Sequence, residues 1–273
     1  MVNHLSYKAS DGENIKLSIY SPIAKTNSKT IILVHGFKGF KDWGFGPYTA
    51  NFFAENGFFV LSFNFSHNGI GENLTEFTEF EKFASNTFSR EIRELNEIID
   101  SIRNGNYEIP GDTSIYLLGH SRGGGISLLT APNRDDISGI AAWASVATFD
   151  RYSERQKIEW RKKGVFEVMN MRTKQVFKLN VTLLDDLEIN SEKLNIENAV
   201  KNLGKPLLII HGEQDLAVPI KEAEQIFNWA DKPKTEFHKI SAAGHTFDVV
   251  HPFEGSNPKF DEVLNLTKIF FNK

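Results

Sequence analysis

Short apolar runs recur along the chain, and a region in which apolar and polar residues alternate precedes them. Over residues 3–20 the apolar Ile15, Leu17 and Ile19 alternate with polar neighbours, so this region is predicted to form a β-hairpin. The later runs are continuously apolar and lie at residues 31–34, 58–61, 114–118, 137–143 and 206–210. Runs of this kind are typical of strands that are covered on both faces, as in a parallel sheet.

Segments with helical periodicity lie between the apolar runs. The stretch from Ser89 to Asn104 places isoleucine and leucine at three- and four-residue steps, and Gly105 follows as a helix stop. Further helices are predicted at residues 47–56, 220–229 and 259–272. The alternation predicts an α/β fold with a mostly parallel, doubly wound sheet and helices on both faces. Ligands of such sheets bind beyond the carboxyl ends of the strands, which is where catalytic residues are expected.

Residues 150–204 interrupt this alternation. The segment is charged and contains no clear parallel-strand run, but apolar residues are interleaved with the charges. These apolar residues are Trp160, Phe166, Val168, Met169, Met171 and Phe177. We interpret the segment as a helical cap, because long insertions in compact domains tend to be functional lids. The alternative is that the segment is a peripheral helical addition to the core and has no function. The predicted organisation is a core of residues 1–149 and 205–273 with a cap of residues 150–204.

Composition and charge exclude several classes of protein. The chain has 273 residues, of which 40% are hydrophobic and 24% charged, so one large domain can bury a sizeable core. The formal net charge of −4 provides no basic excess for binding nucleic acid. The absence of cysteine excludes disulfides, thiolate metal sites and a cysteine nucleophile. We expect a cytoplasmic protein, because no apolar stretch approaches the roughly 20 residues of a membrane span and no signal-peptide pattern opens the sequence.

A G-x-S-x-G motif at residues 119–123 follows the third apolar run and leads into an apolar helix. In this setting the serine occupies the apex of a tight turn. Side chains two residues before and two residues after it would collide with their neighbours, so both positions favour glycine. The turn raises the Ser121 hydroxyl above the sheet and directs the start of the next helix at any developing negative charge. Ser121 is therefore the predicted nucleophile.

A serine hydroxyl needs a general base, and the base needs a carboxylate that orients it. Asp215 lies in the loop after the run at residues 206–210, and His245 lies in the loop after a predicted strand at residues 236–240. The chain order serine, aspartate, histidine is the order expected for a serine on this motif. We therefore predict that Asp215 orients His245 and that His245 is the base. Since histidine ordinarily protonates near pH 6.5, activity is predicted to fall in acid.

Several other residues are weaker candidates for the site. Glu213 competes with Asp215 but lies closer to the strand end and is interpreted as a loop residue. His251 competes with His245 but lacks the position directly after a strand. His67 could line the pocket, and His120 is predicted to pack against the neighbouring strand.

An oxyanion hole is the remaining requirement, and the first core strand is followed by a His-Gly turn at residues 35–39. Such a turn can present the backbone N–H of Phe37 beside that of Arg122, so that both point at the oxygen of a tetrahedral intermediate. Each donor of this kind is typically worth about 3–4 kcal/mol in the transition state. His35 is expected to shape the turn through hydrogen bonds from its side chain to nearby backbone.

Four segments, LVHGFKGFKDW, LLGHSRGG, IIHGEQDLAVP and AAGHTF, together resemble the α/β-hydrolase superfamily. Within it, the chain is similar to the bacterial branch of esterases and serine-aminopeptidase-like enzymes that includes cinnamoyl (feruloyl) esterases with an inserted cap. The resemblance covers nearly the whole chain, from about residue 14 to 272. The residues that match the triad and the oxyanion donors are Ser121, Asp215, His245, Phe37 and Arg122. The sequence departs from the branch at residues 63–69, where relatives often carry an acidic or Arg-rich, Gly-rich loop.

These features predict a serine hydrolase that cleaves small to medium acyl or aryl esters and needs no cofactor. G-x-G-x-x-G, a P-loop and H-E-x-x-H are all absent, so no dinucleotide or metal is expected. An aminopeptidase or acyl-peptide hydrolase is the first alternative, with Glu154, Glu159 or Glu167 as an anchor for the substrate amine. An acyltransferase and a non-catalytic binding protein are the others. The predicted partner is a small-molecule ester, with no nucleic acid or membrane; whether the protein forms a homodimer is left open.

Overall fold

A computed structural model describes residues 2–23, 28–170 and 173–273. Met171, one of the apolar residues noted in the insertion, lies outside the described residues. None of the helices in the described ranges combines the length and the apolar character that crossing a bilayer requires.

An eight-stranded sheet forms the centre of the molecule. Its strands are β1 (Val2–Lys8), β2 (Asn14–Tyr20), β3 (Lys29–Val34), β4 (Phe59–Phe63), β5 (Ser114–His120), β6 (Ile137–Trp143), β9 (Leu207–Gly212) and β10 (Thr235–Ile240). They lie in the order β1-β2-β4-β3-β5-β6-β9-β10. The β1–β2 pair is the predicted antiparallel hairpin, and β2 also runs antiparallel to β4. All other pairs are parallel, which confirms the mostly parallel sheet predicted from the continuous apolar runs.

Helices cover both faces of this sheet. Those of the core are α1 (Gly46–Glu55), α2 (Phe80–Ala84), α3 (Phe88–Arg103), α4 (Arg122–Thr130), α8 (Ile220–Trp229) and α9 (Pro258–Phe271). Successive strand residues belong to different apolar clusters: Ile31 packs with residues of α1 and α9, whereas Ile32 packs with residues of α3 and α4. Because side chains alternate along a strand, this division shows that the sheet is doubly wound, as predicted.

The insertion contains both helices and strands. Its elements are α5 (Glu154–Lys163), β7 (Val165–Met169), β8 (Val176–Asn180), α6 (Val181–Ile189) and α7 (Ile196–Lys201). The antiparallel β7–β8 hairpin is separate from the central sheet, and the interpretation of residues 150–204 as a helical cap did not include it. In β8 the side chains of Phe177 and Leu179 are buried while those of Val176 and Lys178 are exposed, so a two-residue period was present but short.

The hairpin is anchored to the core by an aromatic cluster. The ring of Phe177, which is only 1% exposed, lies 5.0 Å from that of Phe77, 5.6 Å from that of Phe80 and 4.5 Å from that of Phe83. These three partners lie on or just before α2. Burial of several aromatic side chains in one cluster stabilises the contact between the insertion and the core.

Candidate active site

Ser121 occupies the turn between β5 and α4, at the carboxyl edge of the sheet. Its backbone angles are φ 57° and ψ −121°, a conformation that a residue with a side chain rarely adopts. The Ser121 N–H donates to the carbonyl oxygen of Trp143 at 2.8 Å, which ties the turn to the end of β6. The predicted strained turn is therefore present at Ser121.

The glycines on either side of the serine permit this turn. A Cβ on Gly119 would overlap the backbone of Gly123, and a Cβ on Gly123 would overlap the carbonyl oxygen of Val34 in β3. Both obstacles are backbone atoms, which cannot move away as the end of a flexible side chain can. This crowding is the physical reason for glycine at these two positions of the motif.

His245 and Asp215 meet although they lie thirty residues apart in the chain. The Nδ1 of His245 donates to the Oδ2 of Asp215 at 2.7 Å. Asp215 lies in the loop after β9 and His245 in the loop after β10, and these neighbouring parallel strands end at the same edge of the sheet. The pair is the one that the sequence predicted as acid and base.

The carboxylate of Asp215 is fully buried, and both of its oxygens accept hydrogen bonds. Its Oδ1 accepts from the N–H groups of Ala217 and Val218 at 2.9 and 2.8 Å. Its Oδ2 accepts from His245 and lies 3.3 Å from the Nε2 of His211. Burial alone would raise the pKa of Asp215, but the hydrogen bonds from His211 and His245 outweigh it and hold the pKa well below its usual range. Asp215 is therefore ionised at neutral pH.

Ser121 and His245 line the same cavity, whose volume is about 170 Å³. The cavity is mostly apolar, and Leu33, Phe45 and Trp143 form part of its wall. It opens beside the turn at residues 35–39, so the predicted nucleophile, base and oxyanion turn share one space. A mostly apolar cavity with a few convergent polar groups is the usual form of a small-molecule site.

The turn after β3 approaches the serine closely. A Cβ on Gly36 would lie 3.0 Å from the Cβ of Ser121 and 3.5 Å from the amide nitrogen of Arg122. Arg122 is the first residue of α4, so its N–H has no acceptor within the helix. Phe37 follows Gly36 and also lines the cavity. The two predicted oxyanion donors therefore lie on adjacent backbone segments.

His35 holds this turn through both ring nitrogens. The Phe65 N–H donates to its Nε2 at 3.2 Å, so the proton is on Nδ1, which donates to the Gly36 carbonyl oxygen at 3.0 Å. Burial lowers the pKa of His35 to about 4, which keeps the ring neutral. The predicted role of His35 in shaping the turn is confirmed.

Two further histidines contact the residues of the site. His120, which was predicted to pack against the neighbouring strand, also contacts the His245 loop: its Nε2 donates to the His245 carbonyl oxygen at 2.9 Å. His211 is fully buried against the Asp215 carboxylate. Its imidazole directly follows the apolar run of β9, a position that could have indicated the contact.

The weaker candidates lie elsewhere or face solvent. Glu213 is exposed, so it does not compete with Asp215 for the buried position. His251 accepts from the Gly44 N–H at 2.9 Å, in a different loop contact from that of His245. His67 is buried and its Nδ1 lies 2.8 Å from the Ser66 hydroxyl.

The proposed anchors for a substrate amine are also in solvent. Glu154, Glu159 and Glu167 of the insertion are all exposed. Within the part of the chain that the structure describes, no three His, Asp or Glu side chains are grouped so that they could hold a metal ion.

Comparison with known proteins identifies the family of this chain. Residues 25–195, more than half of the chain, match the model of the family described as serine aminopeptidase, S33. A search of curated proteins gave no match.

Solved structures share the fold along almost the entire chain. The esterase domain of a Rhodothermus marinus protein is 18% identical, with a TM-score of 0.67 and coverage of 99% of this chain and 97% of that one. Est1E from Butyrivibrio proteoclasticus, in a structure with ferulic acid bound, is 20% identical, with a TM-score of 0.71 and coverage of 97% of both chains. A Pyrococcus furiosus esterase is 15% identical, with a TM-score of 0.65 and coverage of 100% of this chain and 90% of that one.

Proposed function

Because the chain belongs to the serine aminopeptidase S33 family and is thus an α/β hydrolase, we propose that it cleaves small to medium carboxylic esters through an acyl-enzyme. The observation that carries this proposal is the hydrogen bond between His245 and Asp215 beside the strained Ser121 turn. A histidine oriented by a buried carboxylate is the arrangement that activates a serine hydroxyl.

The proposed reaction has two halves. The Nε2 of His245 removes the proton from the Ser121 hydroxyl as the oxygen attacks the ester carbonyl. The backbone N–H groups of Phe37 and Arg122 stabilise the resulting oxyanion, and His245 returns the proton to the departing alcohol. His245 then takes a proton from water, which attacks the acyl-enzyme, and the carboxylic acid leaves as Ser121 regains its proton. Asp215 stays ionised and stabilises the imidazolium in both halves.

The cavity supports a substrate of modest size. Its volume of about 170 Å³ is close to that of an engineered cavity of ~150 Å³ that accommodates benzene. The apolar wall formed by Leu33, Phe45 and Trp143 favours an alkyl or aryl group next to the scissile carbonyl. We therefore propose short acyl or small aryl esters as the substrate class, with no cofactor.

We also propose that residues 150–204 act as a cap over the site. The Nζ of Lys38, a residue of the turn at 35–39, donates to the Met169 carbonyl oxygen of the β7–β8 hairpin at 3.2 Å. The aromatic cluster around Phe177 fixes the other side of the same hairpin. A cap held at both places would limit access of water to the acyl-enzyme.

An ester is proposed in preference to an aminoacyl amide. The solved structures reported above include proteins described as esterases. The exposed positions of Glu154, Glu159 and Glu167 do not supply the buried acidic anchor that a substrate amine would need.

Parallel assays test the proposed function. The purified protein is given 4-nitrophenyl acetate, butyrate and hexanoate in one series and aminoacyl 4-nitroanilides in the other. We expect turnover of the esters with a kcat/KM at least tenfold above that of the anilides, and loss of turnover in Ser121→Ala. Equal or better cleavage of the anilides would identify a peptidase, and no turnover of either class would contradict the proposal.

A further inference from the structure

Two cationic side chains flank the ring of Phe37, one of the proposed oxyanion donors. The guanidinium carbon of Arg122 lies 4.2 Å from the centroid of the ring, and the Nζ of Lys38 lies 5.3 Å from it. Lys38 and Phe37 both line the cavity that contains Ser121. Positive charge is therefore concentrated at the site of a chain whose formal net charge is −4.

The charge of Lys38 is not balanced by a neighbouring carboxylate. Its Nζ donates to the carbonyl oxygen of Met169, and among the described residues no Asp or Glu forms a salt bridge with it. Burial and the nearby charge of Arg122 lower the pKa of Lys38, so the ammonium sits where water stabilises it poorly and a further cation repels it. An anion in the cavity would compensate for both the poor solvation of the ammonium and the repulsion by Arg122.

The charge of Arg122 is balanced only in part. Its guanidinium is packed between the rings of Phe37 and Phe88 and lies 3.5 Å from the Oε1 of Glu91. The same Oε1 accepts from Asn86 at 2.7 Å, and the Oε2 of Glu91 has no partner among the described residues. Burial raises the pKa of Glu91, although the guanidinium of Arg122 acts in the opposite direction.

We propose that Lys38, with the field of Arg122 behind it, selects esters that carry a negatively charged group such as a carboxylate. This inference deepens the proposed function and rests on it, because it concerns the substrate of the same site. Positive charge at the mouth of an apolar cavity raises the local concentration of anions and orients them. Lys38 would act as a specificity determinant, whereas the reaction at Ser121 is the same for neutral and anionic esters.

A matched pair of substrates tests the inference. Mono-4-nitrophenyl adipate and 4-nitrophenyl hexanoate differ in that a terminal carboxylate replaces a methyl group. A second pair, 4-(butyryloxy)benzoate and phenyl butyrate, places the charge on the alcohol side. For each pair, the ratio of kcat/KM for the anionic ester to kcat/KM for the neutral ester is measured in the wild type, Lys38→Met and Lys162→Met. Lys162 is an exposed lysine of α5 and provides the matched control.

We expect Lys38→Met to lower this ratio about fivefold to tenfold in at least one pair, as for loss of one partly screened ion pair. Lys162→Met should leave the ratio within twofold of the wild type. Added NaCl should lower the wild-type ratio and have less effect on that of Lys38→Met.

Three results would overturn the inference or its basis. An unchanged ratio in both pairs would show that Lys38 does not select anions. An equal loss for both members of each pair would show that Lys38 only holds the turn and the β7–β8 hairpin. If the wild type hydrolyses none of the four esters, the proposed function itself fails, which is a distinct outcome.

Discussion

The imidazole of His120 holds the backbone of His245: its Nε2 donates to the His245 carbonyl oxygen at 2.9 Å, and the two ring centroids are 4.7 Å apart. His120 directly precedes Ser121, so one short segment carries the proposed nucleophile and also positions the proposed base. Burial, followed by the proximity of His245, lowers the pKa of His120 to about 3, and the ring therefore stays neutral as a donor.

The depressed pKa of His120 makes stability depend on pH. Unfolded His120 takes up a proton below about pH 6.5, whereas the folded side chain does not until about pH 3. Its contribution is fully present above pH 6.5 and is lost as the pH falls from 6.5 towards 3. Between pH 4.5 and 6, the slope of the free energy of unfolding against pH should be smaller in His120→Asn than in the wild type. The expected difference is ~1.4 kcal/mol per pH unit, which corresponds to the uptake of one proton fewer on unfolding.

Urea denaturation at several pH values measures this difference. The comparison is made between variants because the pKa values of the buried Glu91 and Glu94 are raised and contribute with the opposite sign. His238→Asn, which replaces a partly exposed histidine of β10, is measured in parallel as the control. A His120→Asn slope equal to that of the wild type would contradict the assignment.

The buried carboxylate of Asp215 should be essential to turnover. Asp215→Asn removes the charge that stabilises the imidazolium and favours the wrong histidine tautomer, so kcat is expected to fall by about 10³–10⁴-fold. Glu213→Gln changes an exposed carboxylate of the same loop and should leave kcat within twofold. Steady-state hydrolysis of 4-nitrophenyl butyrate gives both values; a similar effect of the two substitutions would exclude Asp215 as the acid.

Alanine at Gly123 should be far more damaging than alanine at Gly125 in the same helix. In an ordinary helix, glycine to alanine stabilises by about 1 kcal/mol. At Gly123 the added methyl group meets the backbone of Val34, whereas at Gly125 it meets the end of the Phe149 side chain at 2.9 Å, which can shift. We expect Gly123→Ala to unfold at lower urea concentration than Gly125→Ala and to lose more activity. Equal stability of the two variants would contradict the crowding argument.

The parallel sheet and the positions of Ser121, Asp215 and His245 could be predicted because each depends on local sequence. A buried strand needs a continuous apolar run, and a strained turn needs glycines at fixed spacing. The loops that follow β9 and β10 then lie together because parallel neighbours end at one edge.

The contacts that sequence reasoning missed are long-range and leave little local pattern. The bond from His120 to the His245 carbonyl joins residues 125 positions apart, and no local pattern around either residue indicates it. The β7–β8 hairpin was missed because its strands have five residues each and carry charges on the exposed face. The side chain of Arg122 is 11% exposed and packs between Phe37 and Phe88, and the G-x-S-x-G motif does not indicate these contacts.

The aromatic anchor of the insertion can be tested with Phe177→Ala. Loss of a buried phenylalanine typically costs about 3–5 kcal/mol, and here the loss should concentrate in the β7–β8 hairpin. We expect faster amide hydrogen exchange across residues 165–180, while exchange in β5 changes little. Val176→Ala, at a 49% exposed position of the same strand, should leave exchange near the wild-type rate. Uniformly faster exchange throughout the core would contradict a separately anchored cap.

Acylation of Ser121 is the central step of the proposed reaction. The decisive measurement is the intact mass of the protein after reaction with a fluorophosphonate, followed by mapping of the modified peptide. We predict addition of one probe per chain, located on Ser121, with loss of ester turnover in proportion and no addition in Ser121→Ala or His245→Ala. Modification at another residue, or ester turnover that persists in Ser121→Ala, would contradict the account.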